Sequence, residues 1–246
     1  MTGEARSATL EPSRVLVMVE QEAIAELIKL TLNHGVFHAR DAQDMTEATA
    51  LLEEWRPHVA VIDVEGLGSQ LLWHIGHANS TSGTRIPVLA LTRRGDLRTK
   101  LLAFERGVDD IMTVPFSPEE LLARTLAITR RAHGQTVPLT PVVKVGDLQI
   151  DILNREVRIG SDRIHLTGLE LSLLYLLAAN AGRVLSRDEI TDVIWGVDYF
   201  AESNIVDRHI LNLRAKLQNG SRQPRFIATV PGQGYRFIPA VAAPVV

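Results

Sequence analysis

Up to Arg131 the chain alternates short apolar runs with longer stretches in which apolar residues recur at every third or fourth position. The runs at 15–19, 36–39, 59–62, 88–91 and 110–113 predict strands, and the stretches at 22–32, 45–55, 69–77, 97–106 and 118–130 predict amphipathic helices. Strand followed by helix, repeated in this way, predicts a parallel sheet covered on both faces. In such sheets the reactive groups gather at the carboxyl ends of the strands. Glu20, Asp63 and Thr92 each stand just after or at the end of a predicted strand.

The pattern changes after a stretch with glycine, two prolines and no periodicity, read as a linker over 132–141. Short strands are predicted at 144–145, 148–151 and 156–159, with Asn154, Gly160 and Ser161 in turns. Thr167 with Glu170, and Ser186 with Glu189, have the spacing of a capping box ahead of apolar helical runs. A third helix is expected over 204–217, with Ile205, Val206, Ile210, Leu213 and Leu217 along one stripe. Its opposite side carries Asn204, Arg208, Leu211, Asn212 and Ala215. Strand-like runs at 223–230 and 235–238 then flank Pro231, Gly232, Gln233 and Gly234, a hairpin loop with two residues permissive for positive φ. Three helices followed by a hairpin make a helix-turn-helix variant with a wing.

Length and composition narrow the class. The 246 residues are 46% hydrophobic, enough for two ordinary cores, and there is no cysteine to form a disulfide or a thiolate site. The apolar runs are too short to cross a membrane, and Glu4, Arg6, Glu11 and Arg14 interrupt the leading segment, so no signal peptide or membrane partner is expected. Net charge is −3, yet from Asn204 onward six Lys or Arg face a single acid, Asp207. Positive charge therefore collects where the third helix and the wing would meet phosphates. The eight histidines have no metal-ligand spacing, and neither Gly66-Leu67-Gly68 nor Gly232-Gln233-Gly234 completes a phosphate-binding loop.

The last hundred or so residues resemble the effector domain of OmpR/PhoB-family response regulators. The residues that carry the likeness are Leu166-Thr167 with Glu170, 182–187, Trp195-Gly196, Val206-Asp207, His209-Ile210, Leu213-Arg214 and 232–236. The first half resembles that family's receiver domain through 57–63, 86–92, 107–110 and 115–124. The resemblance implies an α/β chain: a five-stranded, parallel, doubly wound receiver of flavodoxin-like type, followed by a winged helix-turn-helix domain. The expected division is 1–131 for the receiver, its first thirteen or so residues a disordered tail, then the linker, then 142–246 for DNA binding.

Carried over residue by residue, the resemblance makes Asp63 the phosphoacceptor-like aspartate and Thr92 the hydroxyl residue that follows a phosphoryl group. Three family features are missing. Val19-Glu20 stands where two acids help to hold magnesium, leaving at most weak binding by Glu20 and Asp63; Val114 replaces a lysine, and Ile111 an aromatic switch residue. A charge pair at about 4 Å in an effective dielectric near 20 is worth roughly 4 kcal/mol, so losing the lysine removes much of a phosphate-driven switch. Otherwise no cofactor or metal, and no catalytic residue, is expected. Asp63 is then a residual acceptor, a ligand for another signal, or an inherited carboxylate.

In the other half the resemblance assigns DNA-backbone contacts to Trp195, Asn204, His209, Arg214, Thr229 and Tyr235, with Arg236 in the wing. Trp195 could equally belong to the core. Arg208 and Asn212 point outward together, and such side chains can grip guanine and adenine, although Arg208 could instead meet a phosphate. Asn204, Asn212 and Pro231 replace arginines of the family pattern. Lys100 with Glu120, and Asp110 with Arg124, match dimer-forming ion pairs, or else are a solvated surface; Arg106 replaces an acid opposite Arg124.

The expected function is a sequence-specific, cytoplasmic transcription regulator acting largely without phosphorylation through a constitutive receiver homodimer. Its partners would be double-stranded DNA and RNA polymerase; a histidine kinase is left open. The alternatives are a conventional phosphorylation-activated regulator using Asp63, and a phosphate-ester hydrolase with Asp63 as nucleophile.

Overall fold

The computed structural model describes residues 12–33, 37–82, 85–93, 95, 97–134, 142–196, 199, 204–217 and 224–238. The first half runs β1 (Ser13–Met18), α1 (Glu22–Leu32), β2 (Phe37–Asp41), α2 (Met45–Ala50), β3 (Val59–Asp63), α3 (Leu67–Ser82), β4 (Val88–Thr92), α4 (Leu97–Glu105), β5 (Asp110–Thr113) and α5 (Pro118–His133). All five strands are parallel in the order β2-β1-β3-β4-β5. Every residue of β3 and β4 is buried, as central strands covered on both faces must be. The order reverses between β1 and β3. The carboxyl ends of these strands therefore open the crevice where doubly wound sheets bind ligands, and Asp63 sits there.

The second half opens with the antiparallel sheet β6 (Val142–Val145), β7 (Leu148–Asp151), β8 (Glu156–Ile159) and β9 (Asp162–Ile164). Helices α6 (Gly168–Ala179), α7 (Arg187–Ile194) and α8 (Ile205–Leu217) follow, and β11 (Ile227–Val230) and β12 (Gly234–Phe237) form the wing. Both expected capping boxes are closed in both directions, Thr167 with Glu170 and Ser186 with Glu189. A short strand, β10 (Val184–Leu185), adds itself to β12, giving the order β10-β12-β11. That pairing explains Gly234: its φ is +149°, and a Cβ there would lie 2.0 Å from the Leu185 carbonyl oxygen.

Several expectations are corrected in detail. The helix expected over 45–55 finishes as a turn of π-helix, Leu51–Trp55, closed by Arg56 in the left-handed region. Helix α3 extends from Leu67 to Ser82, beyond the expected 69–77. Helix α5 continues to His133 and is stopped by Gly134 at φ +66°, so 132–133 are helical rather than linker; 135–141 lie outside the described residues. The expected tail lies outside them up to residue 11, and Ser13 is already in β1. Strands β9 and β10 were not predicted, being too short to show a period. The first wing strand begins at Ile227 instead of 223, which is not described. Among the described residues no helix is long and apolar enough to cross a membrane.

Candidate nucleic-acid interface and receiver site

Helix α8 buries Val206, Ile210, Leu213 and Leu217 and leaves Arg208, Leu211, Asn212 and Ala215, with Asn204 just ahead of it, exposed. Leu211 is 66% exposed, a large apolar side chain held out among polar neighbours. The wing continues this open surface through Thr229, Pro231, Gly232, Gln233 and Arg236.

Other expected contacts are engaged within the protein. Trp195 caps the end of α7, half-buried, with ring centroids 6.0 Å from Tyr199 and 5.7 Å from His209. Its indole packs on the core rim, the alternative reading left open above. Tyr235 is only 4% exposed, and its hydroxyl donates to Asp207 Oδ1 at 2.7 Å. Arg187 at the start of α7 bonds the same carboxylate at 2.7 Å and lies 5.1 Å over the Tyr235 ring. Arg187 and then Tyr235 hold Asp207 below the usual carboxylate range. Arg214 donates to the Ile227 carbonyl at 3.1 Å and to Thr229 Oγ1 at 2.8 Å, tying α8 to β11. Burial lowers its pKa. Arg187 and Asp207, which the sequence marks only within the family likeness and the charge balance, are brought together by the corner where α7 meets α8.

At the other end of the chain Asp63 is buried at the tip of β3, and its Oδ2 accepts from the Glu20 backbone amide at 3.0 Å. Burial pushes its pKa up to about 6; the Glu20 amide and Arg93 pull it down, while Glu65 and Glu20 push it further up. Thr92 Oγ1 donates to Glu65 Oε1 at 3.0 Å, so its partner is a carboxylate. Arg93, which also bonds Gln21 at 3.2 Å, supplies a cation near Asp63 where Val114 supplies none. Glu65 and Arg93 escaped the sequence reading because loops bring them to the site.

For magnesium the site offers the neighbouring carboxylates of Asp63 and Glu20. Glu20 meets Asp63 through its amide while its side chain is exposed, and the described residues gather no group of three metal-ligating side chains.

Three of the four charges expected to pair across a dimer meet within one chain. Arg124 bonds Asp110 at 2.9 Å and Glu120 at 2.8 Å, while Lys100 lies along α4. Leu97, Leu101 and Phe104 of α4 are exposed.

Two family models match the chain, one in each half. Residues 15–126 match the response regulator receiver domain, and 161–237 match the C-terminal domain of transcriptional regulatory proteins. Response regulator MprA of Mycobacterium sp. (strain KMS) is 35% identical over 229 residues, 91% of this chain and 96% of that protein. The phosphate regulon transcriptional regulatory protein PhoB of Escherichia coli (strain K12) is 33% identical over 225 residues, 91% of this chain and 97% of its own length. The chain belongs to the OmpR/PhoB family of response regulators. The probable transcriptional regulatory protein TcrX of Mycobacterium tuberculosis is 34% identical over 235 residues, covering 96% of this response regulator and 99% of the relative. This is accordingly a DNA-binding regulator of the two-component type, with α8 and the wing as the exposed parts of its winged helix.

Proposed function

We propose that this response regulator binds specific duplex sequences as a receiver-paired homodimer in the cytoplasm, largely without phosphorylation of Asp63. Its receiver half would span 1–131 and its DNA-binding half 142–246. The observation that carries the reading is the occupancy of the receiver site: Thr92 is held by Glu65, Arg93 stands near Asp63, and Val19 and Val114 take the places of an acid and a lysine. A conventional switch has the hydroxyl and the lysine meet the phosphoryl group, and here one is engaged and the other is missing. The bases would be read by Arg208 and Asn212, with Asn204, His209, Thr229 and Arg236 along the phosphates, and the bound dimer would act on RNA polymerase.

The conventional mode has one observation in its favour: Asp63 keeps its place at the strand tip with a cation beside it. A hydrolase would need a second acid-base group poised on Asp63, and Glu20 offers it an amide. Mass measurement after incubation with acetyl phosphate, alongside DNA titration of the parent and Asp63→Ala, separates the readings. The proposal expects no stoichiometric phosphorylation and equal affinities. A phosphorylated parent that binds DNA more tightly than Asp63→Ala would establish the conventional mode instead, and steady phosphatase turnover would establish the hydrolase.

A further inference from the structure

Two helices are buried on more sides than their own halves require. A crossover helix on an open sheet needs one apolar stripe, here Ile24, Leu27, Ile28 and Leu32, yet α1 also buries Ala23 and Ala25 on the two flanks of that stripe. Helix α6 buries Leu171, Leu173, Leu174, Tyr175, Leu176, Leu177 and Ala178, residues that point all round its axis. A helix apolar all round has to be covered all round. The cover comes from both halves: α6 packs on α7, α8 and β12, and also on α1.

Polar contacts follow the same seam. Asn180, 3% exposed, donates from Nδ2 to the Leu176 carbonyl at 2.9 Å and the Ala23 carbonyl at 3.4 Å. Arg183 spans Glu22 at 3.3 Å and Glu189 at 2.7 Å, and Arg155 pairs with Glu119 of α5 at 3.1 Å. Further along, Arg93 and Pro115 of the receiver edge face Asp192, Trp195 and Tyr199 across a cavity of about 270 Å³. With this seam closed, Arg208, Leu211 and Asn212 of α8 and Arg236 of the wing are all exposed. The receiver thus sits on the back of the winged helix and covers none of these reading groups.

We propose that the two halves stay docked on DNA: the receiver braces α6 through α1 while α8 and the wing face the duplex. Docking is then a permanent part of the DNA-binding body, not a latch released before binding. It holds whether or not Asp63 carries a phosphoryl group, so its failure is distinct from that of the phosphorylation reading.

The absence of cysteine makes the test direct. Glu22→Cys with Arg183→Cys places two thiols across the seam, to be joined by a short bismaleimide in the full chain. Both side chains are partly exposed, at 62% and 32%, so the substitutions leave the apolar seam intact. The probe is a set of labelled duplexes selected by the parent protein from a random-sequence pool. The expected result is efficient intramolecular linkage in dilute protein, and an affinity for those duplexes within about threefold of the unlinked double variant. Failure to link, when both thiols react with a monofunctional maleimide, would overturn permanent docking. So would linkage accompanied by a larger loss of affinity, which would make the seam a latch that must open.

Discussion

At the scale of single residues, Asp63 makes the receiver site measurable without any ligand. Burial raises its pKa to about 6 from 3.8, so the folded protein holds the proton more tightly than the unfolded chain does. Stability from this group is therefore fully present below about pH 4 and is lost as pH rises to about 6. Asp63→Asn, which keeps an oxygen for the Glu20 amide, should match the parent at pH 4 and exceed it by about 2 kcal/mol at pH 7 in urea unfolding. A constant difference across that range would mean that the carboxylate ionises freely. Sequence alone placed Asp63 and Thr92 at strand tips, because strand periodicity locates strand ends. It could not supply Glu65 or Arg93: their meaning depends on loop paths, which leave no period in the chain. Tyr235 was assigned to a phosphate because its motif was visible while its burial was not.

At the scale of elements, α8 and the wing are joined by a clamp that separates two kinds of arginine. Arg208 projects from the open face, whereas Arg214 is spent on Ile227 and Thr229 of β11. Arg208→Ala should cost roughly 1–3 kcal/mol on the preferred duplex and relax specificity at one position. Arg214→Ala should weaken all duplexes alike by loosening the wing, and should leave the salt dependence of binding near that of the parent, since its guanidinium is engaged within the protein. Titrations across salt and sequence decide both; a shallower salt slope for Arg214→Ala would return that residue to a phosphate. The outward face of α8 was legible because a helix that buries every third or fourth residue must expose the rest. The clamp was not, since it joins residues thirteen and fifteen positions apart through a hairpin whose register the sequence leaves unstated. Strand β10 was hidden likewise, being two residues long and defined by its partner.

At the scale of the molecule, a continuous apolar core links the receiver sheet to α6 and the wing. Urea unfolding should therefore be one cooperative transition, with Trp195 reporting the same midpoint as Trp55 and Trp73 in single-tryptophan variants. Two separated midpoints would show that each half stands alone. The apolar run from Leu171 to Ala178, with almost no polar side, was the one trace of the seam in the sequence, and it reads equally well as an ordinary buried helix. That run also bears on how such regulators diversify. A winged helix whose central helix is finished only by a neighbour's side chains is not an interchangeable part: joined to a foreign receiver, it would present a sticky flank to solvent. A fusion that gives this effector a foreign receiver would need a first helix whose side chains fit α6, so changes in α1 and α6 should be inherited in concert.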